Sequence, residues 1–320
     1  MTLTIPQAAA GARVLAFGDY QPATVVTNDD LAQKVDTDDA WIRSRVGIAE
    51  RRIAGPGEGV VEMAVQAGGK AIAGSGLSPE DIDLVIVATC SGESPMPAHA
   101  PVVADRLGIR APGAFDLNAA CAGFCYALAT ASAAVRGGSA RNVLVVGAEK
   151  MSQWVDWTDR STCIIFADGA GAAVVAASDE PGIGPVVWGS AGDQHDKIII
   201  PDRHSFIRQE GQAVFRWATG AIAPVALEAC ERAGISPGDL AAIVPHQANL
   251  RIVDAIARKV KAPNAVVADD IVHSGNTSAA SIPLALSRMI ERGDVPSGAP
   301  ALLVGFGAGL AYAAQVIRIP

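Results

Sequence analysis

Three side chains in this sequence have the types and settings for nucleophilic thiol chemistry: Cys121, His246 and Asn276. Cys121 sits in FDLNAACAGFCYALATA, where a strand-like segment at 114–117 passes through small residues into a helical run apolar on nearly every face. A helix apolar all round is buried. The pattern starts it close to Cys121 and sets the thiol at or near a helix N-terminus. There the unpaired N–H groups and the helix dipole lower a thiol's pKa and favour thiolate. The plainer reading is a small buried hydrophobe, the commonest fate of a free cysteine. That structural role is expected for Cys125, one turn later, and for Cys90, Cys163 and Cys230.

His246 follows the apolar run 241–244 in IVPHQANLRI, at the end of a buried strand and just before a helix. Strand ends of this kind commonly carry functional groups in α/β proteins. His99, His195, His204 and His273 lack such a position and read as structural or surface residues. Asn276 lies in VHSGNTSAASIPLAL, where Gly275 permits a tight turn and Thr277 or Ser278 can cap the next helix. Taken alone, Asn276 is an ordinary turn residue. A Cys…His…Asn order also describes papain-like thiol proteases, so the three residues do not by themselves decide the reaction.

The elements that must position them repeat. GLSPEDI at 76–82 reappears as GISPGDL at 234–240, an offset of 234 minus 76, or 158. The same 158 carries VLVVG at 143–147 onto ALLVG at 301–305. Subtracting 158 from 276 gives 118, so the loop of Asn276 corresponds to the loop of Asn118 and Cys121. The two loops are expected to meet across a pseudo-twofold axis. Short Val/Ile/Leu-rich runs bounded by glycine or polar residues read as strands buried on both faces. Helical patterns fall at about 60–73, 122–136, 211–233, 249–260 and 278–292. Their alternation predicts an α/β architecture with largely parallel sheets, in two halves, 1–178 with the nucleophile and 179–320 with the histidine and asparagine. The segment 178–210 reads as a loop excursion or lid.

Composition narrows the classes. Half of the 320 residues are apolar and 18% are charged, which suits a compact chain with a large core and not disorder. The net charge of −8 argues against a general nucleic-acid binder. The stretch MTLTIPQAAAGAR has no early positive charge and no sustained apolar core, and no run approaches about 18 apolar residues, so neither a secretory signal nor a membrane span is expected. Five cysteines without a signal read as reduced thiols in the cytoplasm. The cysteines and histidines show no metal-ligand spacing.

Longer motifs run along the chain: VDTDDAWIRSRVGIAERRI (35–53), AACAGF (119–124), WTDRST (157–162), DGAGAAVV (168–175), PHQANLRI (245–252), GNTSAAS (275–281) and GFGAGL (305–310). In these the chain strongly resembles β-ketoacyl-acyl-carrier-protein synthase III, a thiolase-fold condensing enzyme. The resemblance implies duplicated halves layered α-β-α-β-α, and a homodimer with Met96 near its interface. It implies that Cys121 accepts the acyl group of an acyl-CoA primer. His246 and Asn276 would hydrogen-bond the malonyl thioester of malonyl-acyl-carrier protein as CO2 leaves. The Cys121 N–H and an N–H of the 306–309 turn, Gly307 or Ala308, would form the oxyanion hole. Trp41, Arg45 and Arg160 would hold coenzyme A, with Asn249 on the pantetheine channel. Met96 stands where many members carry an aromatic that limits the acyl pocket. Arg216, Arg251, Arg258 and Lys259 match a basic patch that receives the carrier protein, the last three sharing one helix face. No cofactor is implied beyond the coenzyme A thioesters used as substrates. The 178–210 loop looks shorter than usual, and relatives that prime polyketides, or transfer acyl groups without condensing, share the same three residues.

Overall fold

Ten apolar runs of the chain assemble into two five-stranded sheets. The computed structural model describes residues 9–320; the first eight residues of the stretch read above against a secretory signal lie outside the described residues. The first sheet holds β1 (Gly11–Tyr20), β2 (Leu84–Ala88), β3 (Gly113–Leu117), β4 (Asn142–Lys150) and β5 (Asp168–Ser178). The second holds β6 (Val187–Ser190), β7 (Ala242–Pro245), β8 (Val266–Val267), β9 (Pro300–Gly307) and β10 (Ala311–Arg318). Their orders are β1-β5-β4-β2-β3 and β6-β10-β9-β7-β8, so each strand has a counterpart at the same place in the other sheet.

The sheets are mixed, where the alternating pattern predicts largely parallel ones. Only β2 with β3 and β4, and β7 with β8 and β9, pair in parallel. The pairings of β5 with β1 and β4, and of β10 with β9 and β6, are antiparallel. The link from β9 to β10 is a tight turn, which can join only antiparallel neighbours; a parallel return needs a crossover of a dozen residues or more.

Side chains alternate across each strand, so both faces of both sheets find a partner. Ile86, Val143 and Val145 of the first sheet, with Ala242, Val244, Ala301 and Leu303 of the second, enclose helices α2 (Gly123–Arg136) and α5 (Ser281–Glu291) in one shared core. The opposite residues, Val85, Val87, Leu144 and Val146, pack under α1 (Val60–Ser75). Ile243, Leu302 and Val304 pack under α3 (Gly211–Ala233) and α4 (Leu250–Val260). The layering is therefore α-β-α-β-α, the thiolase-like arrangement. Each fully buried Val, Ile or Leu contributes about 1.5–3 kcal/mol to it.

The segment 178–210 is more ordered than a loop excursion. It supplies edge strand β6 and a small hairpin that pairs Ile198–Ile199 with Arg208–Gln209. Among the described residues no helix is long and apolar enough to cross a membrane.

Candidate active site

The central layer brings the two equivalent loops together. Each is an Asx turn: Asn118 Oδ1 accepts from the Ala120 N–H at 3.1 Å, and Asn276 Oδ1 accepts from the Ser278 N–H at 2.8 Å. The residue two beyond each asparagine has positive φ without being glycine, 45° at Ala120 and 49° at Ser278. Such backbone costs of the order of 1–3 kcal/mol and persists only where its surroundings over-determine it. Subtracting 158 from 278 gives 120, so the strain recurs at the same point of both halves.

Cys121 occupies the short 3-10 turn Ala120–Ala122, and the α-helix proper begins at Gly123. Gly307 faces it so closely that an added Cβ would lie 2.6 Å from Cys121 Cβ and 2.9 Å from Sγ. The thiol lies on the floor of a cavity of about 870 Å³ whose walls also include His246 and Asn276. The expected depression of its pKa is not what the fold produces. Burial pushes the thiol up to about 11, with the Glu149 carboxyl adding to the rise. The Ser278 hydroxyl and the Ala308 and Cys121 N–H groups pull the other way without reversing it. A helix dipole is worth about 0.3–1 kcal/mol at an exposed end. Desolvating a thiolate outweighs that.

His246 is 1% exposed at the end of β7, and burial pushes its pKa down to about 3. The imidazole is therefore neutral, and its surroundings choose the tautomer. The Gln247 N–H donates to Ser281 Oγ at 3.2 Å and leaves the serine its own proton, which we assign to the 2.7 Å bond with His246 Nδ1. The ring proton then resides on Nε2. The edge-on Phe306 ring, with centroids 5.4 Å apart, braces the imidazole. Asn276 is clamped through its backbone by Ile165 and Ala167, at 2.9 Å on each side. Its preceding Gly275 has φ +72°, and a Cβ there would lie 2.8 Å from that of Ala167. With Oδ1 held by Ser278, the amide NH2 is the end of Asn276 left for the cavity.

Beneath the cysteine is a polar cluster with no counterpart in the sequence reading. Glu149, fully buried at the end of β4, accepts from Thr89 Oγ1 and Cys90 N at 3.1 Å, from Ser91 Oγ, and from Cys90 Sγ at 3.3 Å. Cys90, expected only to pack, thus stands on the cavity wall between Glu149 and Ser278. Ser281, Ser278 and Glu149 carried no periodicity or spacing signal. They gain meaning only from what folding sets beside them.

At the surface end of the cavity are Trp41, Arg45, Asn249, Arg216 and Arg251. The guanidinium carbons of Arg160 and Arg45 lie 4.7 and 5.4 Å from the Trp41 ring centroid. Asn249 caps α4 and donates to the Arg45 carbonyl at 3.1 Å, which ties two of these residues together. Arg251 stacks on Phe215 at 5.2 Å. Arg258 and Lys259 are exposed farther along α4 and do not line the cavity; Lys259 Nζ donates to the Thr219 carbonyl at 2.5 Å. The inner walls include Ile198, Ile200 and Ile207 of the hairpin. Met96 does not line this cavity. It is 82% exposed, in a loop that the His99 and Ala100 N–H groups tie to Asp116 of edge strand β3, away from Cys121.

Two mixed sheets related by an internal dyad, with a cysteine, a neutral histidine and an asparagine where their central loops meet, define a condensing enzyme of the thiolase fold. The comparisons agree. The sequence model described as 3-Oxoacyl-[acyl-carrier-protein (ACP)] synthase III matches residues 115–192, and its C-terminal counterpart matches 230–319. The chain is 59% identical over 313 residues to "Beta-ketoacyl-[acyl-carrier-protein] synthase III 4" of Streptomyces coelicolor, covering 97% of this chain and 99% of that one. It is 57% identical, with the same coverage, to the synthase III 2 of Streptomyces avermitilis. Among solved structures, the priming β-ketosynthase of the R1128 polyketide pathway superposes with a TM-score of 0.97 at 44% identity, covering 100% of this chain and 99% of that one. The synthase III of Aquifex aeolicus does so with a TM-score of 0.92 at 42% identity, covering 96% and 100%. The chain belongs to the β-ketoacyl-acyl-carrier-protein synthase III family and is an acyltransferase of the condensing type.

Proposed function

We propose that this enzyme transfers the acyl group of an acyl-CoA to Cys121 and condenses it with malonyl-acyl-carrier protein, releasing CO2 and a 3-oxoacyl-carrier protein. The observation that carries this reading is the pair of neutral donors, His246 Nε2–H and the Asn276 NH2, on the cavity that holds the thiol. A hydrolase needs a base that accepts a proton from water. Loss of CO2 generates its own nucleophile and needs only donors for the enolate oxygen, already in place. The carbanion attacks the acyl-Cys121 carbonyl, whose oxygen is received by the Cys121 and Ala308 N–H groups. Gly307 contributes by its missing Cβ. Splitting acylation from condensation is the ping-pong logic of covalent catalysis.

Coenzyme A is assigned to Trp41, Arg45, Arg160 and Asn249 at the cavity mouth. The carrier protein is assigned to Arg216 and Arg251, with Arg258 and Lys259 as an outer extension of the same basic face. A homodimer is supported by the edge strand β3, unpaired on its outer side, with Phe115 and Met96 exposed beside it. Met96 then meets an acyl chain only in the cavity of a partner. The five free thiols fit a reducing cytoplasm. Polyketide priming is a second reading, favoured by the likeness to the R1128 priming synthase.

The test is incubation with malonyl-acyl-carrier protein and a panel of acyl-CoAs, read by mass spectrometry. A product two carbons longer than the primer is expected. The starter that reacts fastest separates the two pathways, and transfer without chain extension would refute condensation. Cys121→Ala should take up no acyl mass, whereas His246→Ala and Asn276→Ala should be acylated yet fail to decarboxylate malonyl.

A further inference from the structure

A buried guanidinium lies behind the Asn276 loop and has no part in the mechanism so far. Arg51, in the short strand Glu50–Arg52, is 0% exposed and does not line the cavity. Among the described residues no carboxylate pairs with it, and its acceptors are neutral oxygens. Nη1 donates to the Val26 carbonyl at 3.2 Å and to Asn28 Oδ1 at 2.9 Å, and Nη2 donates to the Ile164 carbonyl at 3.0 Å. Nε has no acceptor among the described residues. Burying a cation without a counter-ion costs stability, so what it holds in place accounts for it better. What it holds is the clamp on Asn276. Ile164 ends the short helix Arg160–Cys163, where the last carbonyls have no partner within the helix. The guanidinium takes the Ile164 carbonyl and so fixes the peptides that follow. There the Ile165 carbonyl receives the Asn276 N–H and the Ala167 N–H donates to the Asn276 carbonyl, each at 2.9 Å. The same residue abuts the loop from the other side: a Cβ on Gly275 would lie 3.0 Å from that of Arg51.

We infer that Arg51 is a positioning residue for condensation: its guanidinium fixes the 164–167 segment that holds the Asn276 amide towards the malonyl thioester oxygen. This rests on the condensation reading above. The fork is needed as well as the charge. Its acceptors come from two stretches of chain, 26–28 and Ile164, and a planar guanidinium spans both where an ammonium is a point donor. Asn28 is itself held, its amide donating to the Ile48 carbonyl and to Asp39 Oδ1 at 2.8 Å each. Asp39 opens the helix Asp39–Val46, which carries Trp41 and Arg45. The guanidinium is therefore anchored beside the wall assigned to coenzyme A and reaches across to the loop that supplies a donor for the second half-reaction. Asn276 takes no part in acyl transfer to Cys121, so loosening its clamp should slow one half-reaction and spare the other. A displacement of about 1 Å in a positioned group costs about 100-fold in rate. Complete loss of a donor at an oxyanion costs about 100–1000-fold and sets the ceiling.

The test measures the two half-reactions separately in the wild type, Arg51→Met, Arg51→Lys, Asn276→Ala and the double variant Arg51→Met/Asn276→Ala. Acylation by saturating acetyl-CoA is read by intact mass, and decarboxylation of malonyl-acyl-carrier protein by pre-acylated enzyme is read as trapped CO2. Arg51→Met should lose about 10–100-fold in decarboxylation and stay within about threefold in acylation. Arg51→Lys, which keeps the charge without the fork, should lose about tenfold in decarboxylation. In the double variant Arg51→Met should add no more than about twofold to the loss of Asn276→Ala, because both changes act on one donor. Losses that multiply in the double variant overturn the inference, as do equal losses in both half-reactions, which mark a packing role. Wild-type decarboxylation in either folded Arg51 variant overturns it too. If the Arg51 variants do not fold, Asn28→Ala, which leaves the guanidinium but removes one of its anchors, decides on the same criteria. A wild type that releases no CO2 from malonyl-acyl-carrier protein brings down the condensation reading and this inference with it. A wild type that decarboxylates beside unaffected variants removes the role of Arg51 alone.

Discussion

Replacing Ser281 by alanine tests the claim that a tautomer, and not a charge, makes His246 useful. Ser281 Oγ receives the Gln247 N–H at 3.2 Å and bonds His246 Nδ1 at 2.7 Å, with Ser281 only 2% exposed. Without the hydroxyl, Nδ1 loses its donor and the proton is free to move from Nε2 to Nδ1. A buried hydrogen bond of this kind is worth about 1–1.5 kcal/mol, which corresponds to a shift of about 5–12-fold in the ratio of the Nε2–H to the Nδ1–H tautomer. Complete loss of a donor at an oxyanion would cost about 100–1000-fold and bounds the effect from above. Decarboxylation of malonyl-acyl-carrier protein by pre-acylated enzyme should therefore fall in Ser281→Ala by between about twofold, if the two tautomers are then equal, and about tenfold, if the site then favours Nδ1–H. Acylation of Cys121, which does not use the imidazole, should stay within about twofold. The two half-reactions are separable by trapped CO2 and by intact mass. The orphaned Gln247 N–H should also lower stability by about 1–3 kcal/mol, visible as a reduced denaturant midpoint with the same slope. An unchanged decarboxylation rate in a folded variant, or equal losses in both steps, would refute the tautomer argument.

Gly307→Ala would drive a methyl to 2.9 Å from Cys121 Sγ, so acylation measured by mass should fall at least about 100-fold, the scale of a disrupted oxyanion site. Because burial holds His246 neutral, with a pKa of about 3, decarboxylation by acyl-enzyme should stay nearly flat from pH 8 to 5. Its folding contribution has the opposite shape. The unfolded chain binds a proton near 6.5 while the folded one does not, so stability from this residue is complete above 6.5 and is lost as pH falls towards 3. That loss is about 2 kcal/mol at pH 5, and a His246→Asn variant should show a correspondingly smaller drop in urea midpoint between pH 7 and 5. Trp41→Ala should raise KM for acyl-CoA by about 2–30-fold, the range of a cation–π contact, and leave the rate of the pre-acylated enzyme unchanged.

Much of this protein is written locally. The runs that became β2, β4, β7 and β9 are short and β-branched, and the helix patterns at 60–73 and 211–233 fall on α1 and α3 because periodicity is a property of neighbours along the chain. The 158-residue offset went further and set Asn118 and Asn276 in equivalent Asx turns. Those turns depend on residues no more than a few positions apart.

What the tertiary structure alone decided concerns solvent and charge. A helix start beside Cys121 suggested a lowered thiol pKa, yet atoms from four separate stretches, at Cys90, Glu149, Ser278 and Ala308, surround the sulfur or its neighbour and burial turns the sign. Met96 lies in a loop tied to an edge strand on the outside of this chain, a placement relative to the cavity that its motif does not record. His246 was recognisable from the strand end that precedes it. Its tautomer waited for Ser281, 35 residues away. Desolvation and hydrogen-bond direction depend on groups brought together from distant parts of the chain, and no pattern among sequence neighbours records them.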